Sequence, residues 1–327
     1  MDVLVIGAAG MVGRKLVSKL AAGGVVGGRV IDRLILADVV APEAPAFEGN
    51  IDTVPADLSE PGVADTLLAT RPQLIFHLAA VVSGEAEADF EKGYRVNLDG
   101  TRALLEAVRM AGSKESYVPK LVFASSIAVF GAPLPEVIGE TECLAPLTSY
   151  GTQKAISELL LADYSRRGFL DGIGIRLPTI VIRPGKPNKA ASGFFSGILR
   201  EPLAGQEAVL PVDDSVRHWF ASPRAAVNFL LHAAGLDTSR LGSRRSLTMP
   251  GLSATVGDQI EALRRAAGEA AVRLIRREPD ETIARIVAGW PQNFDASRAA
   301  ALGFVAEKSF DEIIKAHLED EPRSVAA

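Results

Sequence analysis

Short apolar runs alternate with longer amphipathic stretches along the first half of the chain. The apolar runs are rich in Val, Ile and Leu without polar alternation, which is typical of strands buried on both faces. The other stretches repeat apolar residues at helical spacing. Strands are predicted at Asp2–Gly7, Arg33–Asp38, Ile51–Asp57, Leu74–Ala79 and Lys120–Ser126 and within Gly174–Arg183. Helices are predicted at Met11–Ala22, Gly62–Thr70, Asn97–Ala111 and Tyr150–Arg166.

This alternation predicts an α/β fold with a doubly wound parallel sheet and helices on both of its faces. At 327 residues the chain is long for one core, so we also expect a smaller C-terminal substrate lobe. Later helices are predicted at Arg224–Gly235 and Val256–Ala267, and a short strand near Ser246–Met249. We predict a main domain over 1–183, a region over 184–318 that is mainly the lobe but returns elements to the main domain, and a frayed tail over 319–327.

Composition and charge exclude several classes of partner. With 48% hydrophobic residues, 23% charged residues and a net charge of −5, the chain is not expected to bind nucleic acid or an anionic membrane. Cys143 is the single cysteine, so no intramolecular disulfide can form. No basic leader and no apolar stretch of about 20 residues is visible, so a cytoplasmic location is expected. The four histidines lack metal-ligand spacing, and no metal site is predicted.

A glycine turn follows the first predicted strand and opens the first predicted helix. It places Gly7, Gly10 and Gly13 in a GxxGxxG spacing, with Met11 and Val12 between the last two. Glycine at these places permits a tight turn and close approach of a pyrophosphate, which the helix N-terminus can bind. The spacing differs by one residue from the more widespread GxGxxG, and a plain tight turn remains an alternative.

Three further strand ends complete the predicted cofactor site. Asp38 closes the second strand, where a carboxylate can accept both ribose hydroxyls of NAD and would repel the 2′-phosphate of NADP. Asp57-Leu58 ends the third strand, where Asp57 could meet the adenine amino group or cap a turn. Leu78, Ala79 and Ala80 close the fourth strand, where small residues let a cofactor lie against the backbone.

A Tyr-Lys-Ser set points to hydride-transfer chemistry on an alcohol. Tyr150 and Lys154 are four residues apart at the start of a helix and so share one face. The positive charges of Lys154 and of an oxidised nicotinamide would favour the tyrosine phenolate. Ser126, at the end of the fifth strand, could position the reacting oxygen, and Ser125 would lie beside the nicotinamide. Either serine could instead be a helix or turn cap.

Together these motifs resemble an extended short-chain dehydrogenase/reductase of the NAD-dependent epimerase/dehydratase group. The resemblance covers nearly the whole chain and implies a Rossmann-type fold, NAD as cofactor and catalysis by Ser126, Tyr150 and Lys154. It adds Pro178 to the residues that contact the cofactor. It also implies that Asn97 contacts the cofactor and supports a water-linked proton relay to the lysine, although Asn97 could equally be a helix N-cap.

The same resemblance implies a homodimer built on two helices per subunit. The candidate helices are Asn97–Ala111 and Tyr150–Arg166, and the possible interface positions are Leu105, Val108, Leu159 and Ala162.

Within that group, the resemblance of the segments that would bind substrate implies oxidation of a small sugar acid at its C2 hydroxyl. Arg183-Pro-Gly-Lys-Pro-Asn and Arg217-His-Trp stand where sugar-nucleotide epimerases usually carry aromatic-Gly-Pro-Arg-like and Arg-Asp-aromatic elements. Arg183 or Arg217 could bind the substrate carboxylate, or form an internal salt bridge. Ser83, together with Ser126 and Tyr150, is a candidate for contacting the substrate hydroxyls, although Ser83 could equally stabilise its own loop. A uronate dehydrogenase, a nucleotide-sugar epimerase or dehydratase, and a non-catalytic NAD sensor remain alternatives.

Overall fold

The structure is a computed structural model that describes residues 1–185 and 191–322. The α-helices are α1 (Met11–Gly23), α2 (Val63–Leu67), α3 (Ser83–Ala88), α4 (Phe90–Gly93), α5 (Gly100–Lys114), α6 (Ser149–Arg166), α7 (Gly193–Leu203), α8 (Pro223–Gly235), α9 (Val256–Val272), α10 (Glu281–Ala288), α11 (Ser297–Ala301) and α12 (Phe310–Asp320). A π-helix spans Tyr94–Asp99, and 3₁₀ turns span Ile127–Val129 and Thr238–Leu241.

The strands fall into one large sheet and three small ones within the described residues. They are β1 (Asp2–Ile6), β2 (Val25–Val26), β3 (Arg29–Val30), β4 (Arg33–Asp38), β5 (Asn50–Pro55), β6 (Leu74–His77), β7 (Lys120–Ser126), β8 (Asp171–Leu177), β9 (Thr179–Ile180), β10 (Ala208–Leu210), β11 (Arg217–Ala221), β12 (Ser246–Thr248), β13 (Leu252–Thr255) and β14 (Ile275–Arg277).

The large sheet confirms the predicted doubly wound α/β fold. Its seven described strands run in the order β12-β8-β7-β6-β1-β4-β5, and every neighbouring pair is parallel. The central strands β1, β6 and β7 are buried almost throughout, as their uninterrupted apolar runs predict. Parallel pairing brings the carboxyl ends of these strands to one edge, where ligands of such sheets bind.

Several predicted elements have different limits in the structure, and two of them show why. The predicted helix Asn97–Ala111 begins as the π-helix Tyr94–Asp99, and the regular helix α5 starts only at Gly100. The predicted sixth strand, within Gly174–Arg183, is displaced towards the N-terminus because β8 ends at Leu177. Pro178 has no N–H with which to continue the ladder. The chain then forms β9, which pairs with β11 in a different sheet.

Contacts divide the chain into two compact units. The first contains Met1–Val129, Pro146–Leu177 and Val227–Thr248. The second contains Phe130–Ala145, Pro178–Ala226 and Met249–Ala327. The predicted limits at 183 and 318 therefore differ from the observed division. The predicted tail 319–327 begins inside α12, which continues to Asp320, and 323–327 lie outside the described residues.

Each unit has its own apolar core. In the first, one face of the sheet packs against α2, α5 and α6, with Leu4, Ile75 and Phe123 among the buried residues. In the second, α7, α9 and α12 pack together beside the three-stranded sheet β13-β11-β9. Among the described residues no helix combines the length and apolar character that crossing a membrane requires.

The positions predicted for a dimer interface differ in their burial. Leu105 and Val108 are buried in the core of their own unit, so they are not available to a partner. Leu159, on α6, is 66% exposed, and Ala162 is half-buried. Of the four positions, Leu159 is thus the one that exposes a large apolar side chain to solvent. It lies on the same helix as Tyr150.

Candidate active site

The glycine turn forms a cradle between β1 and α1. Gly7 has φ +93°, and a Cβ added there would lie 2.6 Å from the Ala79 nitrogen. A Cβ on Gly13 would overlap the Gly7 carbonyl oxygen. Gly10, the N-cap of α1, has no side chain to cap the helix. The turn therefore leaves the backbone of the first helical turn open to an anion, which fits the pyrophosphate of NAD.

Asp38 lies beside this turn, as its predicted role requires. It is the last residue of β4, and its Oδ2 accepts a hydrogen bond of 2.9 Å from the backbone N–H of Ala9. Its side chain is half-buried and is followed by the exposed Val39 and Val40. Met11 and Val12 are half-buried in the first turn of α1. The carboxylate is therefore fixed next to the glycine cradle, where it could accept ribose hydroxyls.

Asp57 and Leu58 follow β5 but are directed by local contacts. The Asp57 Oδ1 accepts hydrogen bonds from the Ser59 hydroxyl (2.6 Å) and backbone N–H (2.9 Å). Burial acts to raise the pKa of Asp57, but these hydrogen bonds, helped by Arg95 and Lys92, bring it below its ordinary value. Leu58 is buried in the core of its unit. Asp57 thus caps its own turn, and its contact with adenine stays a prediction.

Asn97 organises the loop that follows β6. Leu78, Ala79 and Ala80 at this strand end are half-buried. The buried Asn97 accepts from the N–H of Val81 (2.8 Å) and donates to its carbonyl (3.1 Å). It also donates to Oε1 of Gln153 (2.7 Å).

Both amide protons of Asn97 therefore already make hydrogen bonds. A relay water could bind only to the side-chain or backbone carbonyl oxygen of this residue. The proton relay stays a prediction. Asn97 belongs to the π-helix, a distortion that is frequent at functional sites.

Ser126, Tyr150 and Lys154 come together in the first unit. Ser126 is the last residue of β7, and its hydroxyl accepts from the N–H of Ala128 (3.1 Å) and acts on the Tyr150 phenol closely enough to favour its ionised form. Tyr150 lies in the first turn of α6, whose N-cap Thr148 accepts from the N–H of Gly151 (3.0 Å). A Cβ on Gly151 would overlap the carbonyl oxygen of Ala128. This glycine permits the close approach that brings the tyrosine to the serine.

Lys154 is buried one helical turn after the tyrosine. Its Nζ donates to the carbonyl of Ala124 (2.8 Å) and lies 4.6 Å from the centre of the Phe123 ring and 5.8 Å from that of Tyr150. Burial lowers the pKa of Lys154 to about 8, although the Glu158 carboxylate opposes the shift. Burial also raises the pKa of Tyr150 to about 12, although the Ser126 hydroxyl opposes the shift. Further positive charge is therefore needed before Tyr150 can act as a base near neutral pH.

The other predicted residues divide between the two units. In the first, Ser125 is buried and donates its hydroxyl to Glu158, and Ser83 is half-buried at the start of α3. In the second, Pro178 is buried directly after β8.

The two predicted carboxylate-binding arginines also belong to the second unit. Arg183 donates to the carbonyl and hydroxyl of Ser192 (2.9 Å each), and burial with the nearby Arg200 lowers its pKa. Arg217 is exposed at the start of β11, and its Nη1 donates to the carbonyl of Ser253 (3.3 Å). The residues 186–188 of the predicted substrate segment lie outside the described part of the chain.

Two residues in the network around the catalytic set were not predicted from the sequence, Gln153 and Glu158. Gln153 precedes Lys154 and is fully buried, and Glu158 is 4% exposed. The available signal was the spacing, because Glu158 follows Lys154 by four residues and Tyr150 by eight on one helix face. A glutamate on a helix is otherwise most often a solvent-exposed residue.

Known proteins are similar to this chain in sequence and in architecture. Residues 3–234 match the NAD dependent epimerase/dehydratase family. A D-erythronate dehydrogenase of Cupriavidus necator is 49% identical over 98% of both chains. Another from Haemophilus influenzae is 44% identical over 98% of this chain and 99% of its own. A crystal structure of an Agrobacterium tumefaciens protein described as a nucleoside-diphosphate-sugar epimerase superposes with a TM-score of 0.96, at 65% identity, over 98% of this chain and 94% of that one. The glycine cradle, Asp38 and the Ser-Tyr-Lys set thus belong to a member of the NAD dependent epimerase/dehydratase family.

Proposed function

We propose that the protein oxidises the C2 hydroxyl of D-erythronate to a 2-oxo acid, 2-dehydro-D-erythronate, with NAD as the cofactor. The observation that carries this proposal is the Ser126-Tyr150-Lys154 set in a chain that aligns over nearly its whole length with two D-erythronate dehydrogenases. A secondary alcohol needs a base for its proton and an acceptor for its hydride. When bound, NAD supplies the hydride acceptor.

The side chains of this chain would handle the proton. The phenolate of Tyr150 takes the proton of the C2 hydroxyl, while the Ser126 hydroxyl holds the same oxygen. The Lys154 ammonium would stabilise the phenolate by its charge and would contact the nicotinamide ribose. Gly7, Gly10 and Gly13 would hold the pyrophosphate, and Asp38 the adenosine ribose.

A nucleotide-sugar epimerase is the competing function, because the Agrobacterium relative at 65% identity is described as one. The deciding experiment supplies NAD and a panel of D-erythronate, other aldonic and uronic acids, and UDP-sugars, and follows NADH absorbance and sugar interconversion. Rapid NADH formation with D-erythronate is the expected result. Interconversion of a UDP-sugar, with no oxidation of any free sugar acid, would contradict the proposal.

We propose that Arg183 or Arg217 binds the substrate carboxylate, since a guanidinium can make two parallel hydrogen bonds to it. Replacement of the correct arginine by methionine is expected to raise KM for D-erythronate and to lower kcat, because loss of the clamp also misplaces C2. The loss should be much smaller with a neutral alcohol of similar size. Normal kinetics in both variants would exclude this role for the pair.

We further propose that the enzyme is a cytoplasmic homodimer. The exposed Leu159 on α6 supports an interface on that helix. The single cysteine cannot form an intramolecular disulfide, which fits a reducing compartment such as the cytoplasm. Light scattering at micromolar concentration is expected to give twice the monomer mass. Leu159→Glu should shift that mass towards the monomer, and a monomeric unmutated protein would contradict the dimer.

A further inference from the structure

The catalytic face of α6 continues past the known residues to a buried acid. Tyr150, Lys154 and Glu158 are spaced at intervals of four, so they follow one another on the same side of the helix. Glu158 is 4% exposed. A buried carboxylate is costly unless it is paired and hydrogen-bonded, so its partners determine what it can do.

Arg176 on β8 holds this carboxylate at both oxygens. Its Nε lies 3.0 and 3.1 Å from Oε1 and Oε2 of Glu158, and its Nη2 donates to Oε2 at 2.8 Å. The Ser125 hydroxyl donates to Oε1 at 2.5 Å. Such a forked pair fixes the position of the carboxylate as well as its charge.

Lys154 interacts electrostatically with Glu158 but does not form a hydrogen bond or an ion pair with it. Glu158 opposes the burial-induced fall of the Lys154 pKa, yet the lysine Nζ is not within 4.0 Å of any carboxylate among the described residues. Its hydrogen bond goes instead to the carbonyl of Ala124. The ammonium is therefore held by the Ala124 carbonyl, 5.8 Å from the centre of the Tyr150 ring, and not in an ion pair.

The other elements around Lys154 add little charge. From β7 it meets the Phe123 ring and the Ala124 carbonyl, and from α6 the neutral phenol of Tyr150. On β6, His77 is buried, and burial together with Lys154 lowers its pKa to about 3, so it is neutral. From β8, Arg176 acts through its pair with Glu158. Among the described residues, Glu158 is thus the carboxylate whose charge acts on the lysine, and this carboxylate is itself paired with Arg176.

We propose that Glu158 and Arg176 are positioning residues that together set the charge state of Lys154, the carboxylate favouring the ammonium and the guanidinium holding the carboxylate off it. The mechanistic consequence rests on the proposed function, in which charged Lys154 supports the tyrosine base and the cofactor ribose. Removing Glu158 makes the charge near Lys154 more positive, and removing Arg176 makes it more negative. A merely structural role would not produce these opposite effects.

The test measures NAD affinity against pH by calorimetry, which needs no substrate. The charged lysine binds the ribose, so affinity falls as pH rises through the lysine pKa. Glu158→Gln removes a negative charge and should move this fall to lower pH by about one unit. Arg176→Met leaves the carboxylate uncompensated and should move it to higher pH by a similar amount. The alkaline limb of kcat for D-erythronate should move in the same directions.

A double variant and a control protect the test against folding defects. Glu158→Gln leaves an unpaired buried cation and could fail to fold. Glu158→Gln/Arg176→Met removes both charges, and its transition should lie below that of Arg176→Met alone. Thr248→Val changes a neutral neighbour of Arg176, 3.5 Å from its Nη1, and should not move the transition.

The outcomes separate the two proposals. Shifts of the same sign in Arg176→Met and Glu158→Gln, or no shift in Arg176→Met and in the double variant, would overturn the inference. Opposite shifts in NAD affinity without turnover of D-erythronate would uphold the inference and refute the proposed function.

Discussion

Replacing Tyr150 with phenylalanine is expected to lower kcat by about 10²–10⁴-fold and to leave NAD affinity close to that of the unmutated enzyme. The ring would still pack at the start of α6, but the oxygen that takes the substrate proton would be gone. Because Ser126 acts on the same phenol, the loss removes the base and also disturbs the positioning of the reacting oxygen. Steady-state kinetics and calorimetry measure the two quantities.

Tyr164→Phe is a matched control for this prediction. Tyr164 lies on the same helix and also donates its hydroxyl to another side chain, Glu106, at 2.9 Å. Its loss removes one hydrogen bond outside the catalytic set and should leave kcat unchanged. If Tyr150→Phe retained nearly full turnover, another group would have to be the base.

Asp38→Ala is expected to change cofactor choice by about a hundredfold or more in the ratio of kcat/KM for NADP to that for NAD. The Asp38 carboxylate is fixed against the N–H of Ala9, so it cannot swing far from a 2′-phosphate beside it. Two like charges held together cost several kcal/mol, and every 1.4 kcal/mol is a factor of ten. The substitution should weaken the binding of NAD, because the ribose loses a hydrogen-bond acceptor. It should also remove the repulsion of the NADP phosphate.

Asp52→Ala provides the comparison for that experiment. Asp52 lies on the neighbouring strand β5, is largely exposed and pairs at 3.7 Å with Arg33. Removing it changes net charge equally without touching the glycine turn, so the preference between NAD and NADP should stay that of the unmutated enzyme. Equal use of NADP by the unmutated enzyme would contradict the role assigned to Asp38.

The centre of the main sheet was predictable because β1, β4, β6 and β7 contain continuous apolar runs. Six of its seven strands fall within or next to the predicted runs, and the three residues of β12 lie within the predicted strand near Ser246–Met249. The strands of the second unit contain two to five residues, too few for a pattern of burial to be recognised. Their pairing depends on residues far apart in sequence, such as Phe220 with Thr179.

The proximity of the predicted catalytic residues could be foreseen for a different reason. Ser126, Tyr150 and Lys154 lie at a strand end and on one helix turn, where local geometry fixes the direction of a side chain. The role of Glu158 was not predictable, because its carboxylate is paired with Arg176 on another element. The contacts of Asn97 likewise arise from the π-helix, which the amphipathic pattern read as the beginning of an ordinary helix.

The division of the first unit into three stretches constrains the order in which a growing chain can fold. Its last stretch, Val227–Thr248, supplies β12, the outer neighbour of β8. During synthesis one edge of β8 therefore stays unpaired until residues 178–245 have left the ribosome and β12 can follow. Unpaired edges invite association between nascent chains, and parallel pairing across so long a separation is slow. A fragment that stops at 183 would carry the whole catalytic set on a sheet that still lacks its border.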